Sequence, residues 1–261
     1  MELDVYKVDV FTTTPLKGNP AAVVLGMLDE ETMLALASEL NLSETVFVEK
    51  EGNTFRLRYF TPTSEVPICG HATIAAFHVL KLKGIAEGSC TAITSAGVVE
   101  VQVEDKIWIR MPKPKLASRT TIDFPSPSST LPVVDVGLKI GIVEVASFRE
   151  LMELKPTPEL ADYCINGGVD GVYAFTFDSR CDAATRFFAP ALGVEEDPVT
   201  GTAGAALAYY LHTDRLVKEE YTFEQGHAMR REGTIYAKID REKCVWVGGN
   251  AVCVLEGKIR I

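Results

Sequence analysis

Two rhythms of apolar and polar positions run through the chain. Short stretches rich in β-branched and aromatic residues predict strands at 6–11, 21–25, 45–49, 55–60, 98–103 and 107–111, and again at 133–136, 140–145, 172–177, 183–188, 234–239 and 244–247. Between them, apolar residues at helical spacing (Met33, Leu36, Ala37, Leu40) behind acidic residues predict a helix over 29–40. A second helix opens at Thr157-Pro158, an N-cap residue followed by proline at the first helical position. Two further segments, 73–80 and 204–211, are small and apolar on every face, the pattern of helices buried all round.

These elements repeat. Arg58-Tyr59-Phe60-Thr61-Pro62 is echoed by Arg186-Phe187-Phe188-Ala189-Pro190, and the block Glu65 to Ala72 (EVPICGHA) by Glu196 to Ala203 (EDPVTGTA). Each block runs directly into one of the all-apolar helices. The arrangement predicts an α+β protein of two similar domains, each a sheet wrapped around a central helix, divided as 1–117 and 118–261 with the Pro-, Ser- and Thr-rich stretch 113–132 as linker. Duplicated domains with equivalent loops favour a small-molecule site in the cleft between them.

Composition narrows the function without naming it. The 261 residues are 47% hydrophobic and 24% charged, and 26 Lys+Arg against 36 Asp+Glu give a net charge of −10. Nonspecific attraction to nucleic acid or to an anionic membrane is not expected. The start, MELDVYKVDV, is acidic where a signal peptide would be basic and then apolar, and no apolar stretch reaches membrane-spanning length, so a cytoplasmic protein is expected. Six cysteines without a CxxC pair suggest reduced, mostly buried thiols and no structural zinc.

The residues that could carry chemistry cluster at the two loop-to-helix junctions, Cys69-Gly70-His71 and Thr200-Gly201-Thr202. Helix starts present unpaired N–H groups that can hold a carboxylate or an enolate-like anion, and Gly70 and Gly201 admit a ligand close to the backbone; the same small residues would also serve tight packing. His71 stands where the second repeat has Thr202, so the halves differ chemically, and an imidazole there can relay a proton. Asp197 precedes Pro198, which biases its backbone toward an extended form. Glu195 and Glu196 read as solvated, and His212 and His227 have no evident partner. Glu44, at the start of a strand, reads on its own as a surface acid, with Asp170 in a roughly analogous place. Cys69 reads as a bystander, because a two-thiol racemase would need a second thiol where Thr200 stands.

At VDVFTTTPLKGNPAAVVL (8–25), NLSETVFVE (41–49), RYFTPTSEVPICGHAT (58–73) and RFFAPALGVEEDPVTGTA (186–203) the sequence resembles the PhzF family, the phenazine-biosynthesis-like proteins that share the diaminopimelate epimerase fold. The resemblance implies two sheet-and-central-helix domains, an active site in the cleft, a homodimer, and cofactor-free isomerisation of a small cyclic carboxylic acid with no metal. It implies that Glu44 is general base and then acid, that His71 and Asp197 assist, and that Gly70, Gly201 and Thr202 bind substrate. Thr202 departs from the serine usual in the family. A non-catalytic binding protein of the same fold and an amino-acid epimerase or racemase are the alternatives. Burial on domain closure is expected to raise the carboxyl pKa of Glu44 toward the working range.

Overall fold

The structure is a computed structural model that describes residues 1–125 and 129–261. In chain order the first elements are β1 (Glu2–Val10), β2 (Asn19–Leu25), α1 (Glu30–Leu40), β3 (Glu44–Glu51), β4 (Thr54–Phe60), β5 (Glu65–Val66), α2 (Gly70–Leu82), β6 (Gly88–Thr94), β7 (Gly97–Val103) and β8 (Ile107–Arg110). They continue with β9 (Lys115–Ile122), β10 (Ser129–Asp135), β11 (Lys139–Glu144), α3 (Phe148–Glu153), α4 (Pro158–Gly167), β12 (Gly171–Thr176), β13 (Ala183–Ala189), β14 (Val194–Asp197), α5 (Gly201–Asp214), β15 (Glu220–Gln225), β16 (Gly233–Ile239), β17 (Val245–Gly249) and β18 (Ala251–Arg260). The chain forms two compact units, one of Met1–Arg110 with Gly248–Ile261, the other of Met111–Val247.

This division differs from a cut at 117/118 in one respect that matters. The final strand β18 pairs antiparallel with β1, from Glu2↔Arg260 to Val10↔Ala251, so the C-terminal segment belongs to the first unit. The stretch expected as a linker is also largely ordered strand: β9 pairs with β10 from Ser129↔Ile122 to Asp135↔Lys115. Its proline and hydroxyl content marked turn chemistry, yet Pro132 sits in the strand opposite Arg119. Residues 126–128 of that stretch lie outside the described residues.

The same pairing scheme is drawn twice. In the first unit β1 is antiparallel to β2, β2 parallel to β3, β3 antiparallel to β4, and β4 both antiparallel to β5 and parallel to β6. In the second unit β10, β11, β12, β13, β14 and β15 repeat those relations in that order. Each parallel step needs a crossover, supplied by α1 and α2 in one unit and by α3–α4 and α5 in the other. The central helices are enclosed as the pattern requires: His71 through Phe77, Val79 and Leu80 are buried in α2, and Gly201, Ala203 through Ala208, Tyr210 and Leu211 in α5. The outer helices bury one stripe each, Met33, Leu36 and Ala37 of α1 against Val5, Val24, Phe47 and Phe60, and Leu160 and Cys164 of α4 against Val172, Ala174 and Phe188.

The repeated Arg residues show why the motif recurs. Arg58 grips Glu65 bidentately (2.8 and 2.6 Å) and also reaches Glu30, while Arg186 grips Glu196 (2.8 and 2.8 Å) and donates to the carbonyls of Leu151 and Leu154. Glu196 is therefore held in a buried ion pair rather than solvated, because the guanidinium beneath it is only 6% exposed. None of the six cysteines is in a disulfide; Cys164 and Cys244 are buried and the other four are partly exposed. Among the described residues no helix is long and apolar enough to cross a membrane, which leaves β-barrel proteins unaddressed.

Candidate active site

Glu44 reaches its place through a tight turn. Helix α1 stops at Leu40, and Asn41 takes a left-handed conformation (φ 48°) with its N–H on the Ala37 carbonyl, a conformation asparagine tolerates better than most residues. Three residues later the chain enters β3, where Glu44 lies beside Ala21 of β2 in a parallel register. The opposite entry is equally constrained. Gly18 precedes β2 at φ +64°, and a side chain there would meet the Val10 carbonyl at 2.1 Å, so only glycine fits.

His71 is the second residue of α2, and the two elements bring it to Glu44. Glu44 Oε2 lies 3.1 Å from His71 Nε2, with the side chains 20% and 10% exposed. The separation is that of an ion pair, although the alignment falls short of a regular hydrogen bond. Ser43 Oγ stands 3.3 Å from the same nitrogen and donates to the Pro20 carbonyl at 2.9 Å. On the other side of the ring, Cys69 Sγ is 3.3 Å from Nδ1. Thus Glu44, His71 and Cys69 form one cluster at the start of α2, next to Gly70. The short link across Gly70 folds the Cys69 thiol back onto the ring.

The electrostatics follow from burial and pairing. Burial alone pushes the Glu44 carboxyl up, but the adjacent His71 outweighs it, and the net shift is downward. Burial likewise disfavours the His71 cation, yet Cys69 and Glu44 on either side of the ring hold its pKa well above the ordinary value. The Cys69 thiol is pushed up, first by burial and then by Glu44. The expected upward shift of Glu44 is therefore reversed in this structure, because its nearest neighbour is a cation.

Asp197, Gly201 and Thr202 belong to the second unit. Asp197 ends β14 and Gly201 and Thr202 begin α5. Thr200 donates its hydroxyl proton to Asp197 Oδ2. Gln225, which the sequence did not single out, organises this corner: its Nε2 donates to the Asp197 carbonyl (2.9 Å) and to Thr200 Oγ1 (3.2 Å), and its Oε1 accepts the Thr200 N–H (3.1 Å). The Tyr173 hydroxyl lies 3.0 Å from the same Oε1. The analogy of Asp170 with Glu44 does not extend to chemistry, since Asp170 accepts the Lys139 N–H and closes a backbone pair. His212 and His227 do have partners, the Lys218 carbonyl (2.8 Å) and Glu224 (3.2 Å).

Among the described residues, two side-chain groups have the spacing to hold a metal ion, Glu44–Cys69–His71 and Asp240–Glu242–Cys244, with donor atoms within 4.8 Å of one another. In the first, Glu44 and Cys69 address different ring nitrogens of His71, so one ion would have to part them. In the second, Asp240 already accepts from the backbone N–H groups of Glu242 and Cys244 and from the Trp246 indole.

Known proteins match this chain over its length. An uncharacterized isomerase of Pseudomonas aeruginosa is 36% identical, with all of both chains covered. The human phenazine biosynthesis-like domain-containing protein is 32% identical over 99% of each. The crystal structure of a PhzF family phenazine biosynthesis protein from Enterococcus faecalis superimposes with a TM-score of 0.85 at 27% identity, covering 100% of both chains. The fold is thus the diaminopimelate epimerase-like one that these proteins share. The model of the phenazine biosynthesis-like protein family (PhzC-PhzF) matches residues 8–257, and the chain belongs to that family.

Proposed function

We propose that the protein is a cofactor-independent isomerase that moves a proton between carbon atoms of a small, ring-shaped carboxylic acid. The observation that carries this reading is the sheltered Glu44–His71 pair at 3.1 Å; the isomerase names of its relatives support the reaction class. Glu44 is ionised at neutral pH, so its base form is ready. It takes a proton from a carbon beside the ring's unsaturated system, the C–H electron pair delocalises into that system, and the resulting carboxylic acid returns the proton to a second carbon. While Glu44 carries the proton, the His71 cation loses its counter-charge and becomes available to the anionic intermediate. The N–H groups at the start of α2, beside Gly70, suit a substrate carboxylate. By the family resemblance, Asp197, Gly201 and Thr202 contribute further substrate contacts, the compartment is the cytoplasm and the working unit is a homodimer.

The test is a screen of cyclic and aromatic-precursor carboxylic acids for double-bond or proton migration, followed by NMR. Conversion of one such acid without added cofactor supports the proposal. Acids that bind but are never converted would instead leave a small-molecule-binding protein of the same fold.

A further inference from the structure

We infer that the Cys69 thiol is a positioning residue for His71, accepting its Nδ1 proton so that the Nε2 proton is held toward Glu44. The inference deepens the proposed proton-transfer site and rests on that reading for its purpose, though not for its geometry. Ser43 fixes the proton on one side. Its hydroxyl proton goes to the Pro20 carbonyl at 2.9 Å, so its oxygen can only accept from Nε2, 3.3 Å away. Nε2 is therefore a donor to Ser43 Oγ, with the Glu44 carboxylate 3.1 Å away as its ion-pair partner. On the other side the Cys69 sulfur lies 3.3 Å from Nδ1.

Cys69 is built for this contact. It occupies the N-cap of α2 in an extended conformation (φ −142°, ψ 120°), but its side chain caps no helix N–H, unlike Asp29, Ser147 and Thr157 at other helix starts. Its carbonyl is pinned by the N–H (3.0 Å) and hydroxyl (2.7 Å) of Thr73, and Thr73 is in turn held by the buried Tyr59 hydroxyl at 2.7 Å. The groups facing the ring are Glu44 and Ser43 from β3 and the turn before it and Cys69 from its own helix start. Beside a carboxylate the ring is cationic and both nitrogens carry protons, while the thiol stays neutral because burial and Glu44 oppose its ionisation. The repeat shows that packing alone does not demand the pair. At the matching places the second unit has Thr200 and Thr202, and Thr200 turns its hydroxyl to Asp197.

The experiment is a pH titration of the ¹⁵N-histidine-labelled full chain by NMR, with the His71 signals assigned from His71→Asn. Both ring nitrogens of His71 are expected to be protonated at neutral pH. Cys69→Ala is expected to lower the His71 midpoint by about one pH unit, a tenfold loss of proton affinity, and Cys69→Ser to restore most of it. A wild-type Nδ1 without a proton at neutral pH, or a Cys69→Ala midpoint equal to wild type, overturns the inference. Should Cys69→Ala fail to fold, the wild-type Nδ1 state and Cys69→Ser decide it. No substrate enters the measurement, so its failure and the failure of the isomerase reading are separate outcomes.

Discussion

Glu44 and His71 come from different elements, the first residue of a strand and the second of a buried helix, and meet as an ion pair 3.1 Å apart. Their protonation states make folding depend on pH in a defined direction. Glu44 has its pKa lowered on folding, so its contribution is present above its unfolded value and lost as pH falls through the folded one. His71 has its pKa raised, so its contribution is complete below its unfolded value and lost as pH rises through the folded one.

The stability difference between wild type and Glu44→Gln is therefore expected to peak at mildly acidic pH, at about 2 kcal/mol. It should shrink both in strong acid and on the alkaline side. Denaturant unfolding at a series of pH values checks this, and a difference that grows toward alkaline pH would contradict the ion-pair assignment.

The duplicated arginines give a comparison within one molecule. Arg186 is 6% exposed and satisfies carbonyls at the C-terminal end of α3 and in the residue after it, whereas Arg58 is 27% exposed. Arg186→Ala strands Glu196 and takes a donor from the carbonyls of Leu151, Met152 and Leu154, and is expected to cost about 3 kcal/mol. Arg58→Ala leaves Glu65 and Glu30 within reach of water and is expected to cost about 1 kcal/mol. Equal losses in denaturant unfolding would show that burial does not set the difference.

The Asp197 corner depends on Gln225, which is 1% exposed and fills both its acceptor and its donors there. Gln225→Ala is expected to lower stability by about 2 kcal/mol, since the part-buried Thr200 N–H and Asp197 carbonyl lose its amide. It should also weaken binding of any substrate acid, seen as a raised KM, by freeing the Asp197 segment. An unchanged melting temperature would remove Gln225 from this role.

Much of this molecule is legible in its sequence because two local signals are strong here. The β-branched and aromatic runs locate most of the strands, as in 21–25 and 183–188, and the all-apolar helices announce their own enclosure. What escapes is set by long-range pairing. Strand β18 carries no mark saying that it joins β1 at the other end of the chain, and β9, largely exposed, has little apolar alternation to read. Helix α3 could have been found from Ser147 and Glu150, a Ser-x-x-Glu start in which the serine accepts the Glu150 N–H. At the site, Glu44 and His71 were recognisable, but the Cys69–His71 contact depends on how one glycine turns the chain into a helix, and Gln225 reaches its partners only through the parallel pairing of β13 with β15.

The central claim is that Glu44 carries the migrating proton, and its most direct test follows deuterium. With an acid that the enzyme converts, wild type in heavy water is expected to place solvent deuterium on the receiving carbon. Glu44→Gln should still bind that acid but exchange nothing above background. Undiminished exchange and turnover by Glu44→Gln would contradict the account.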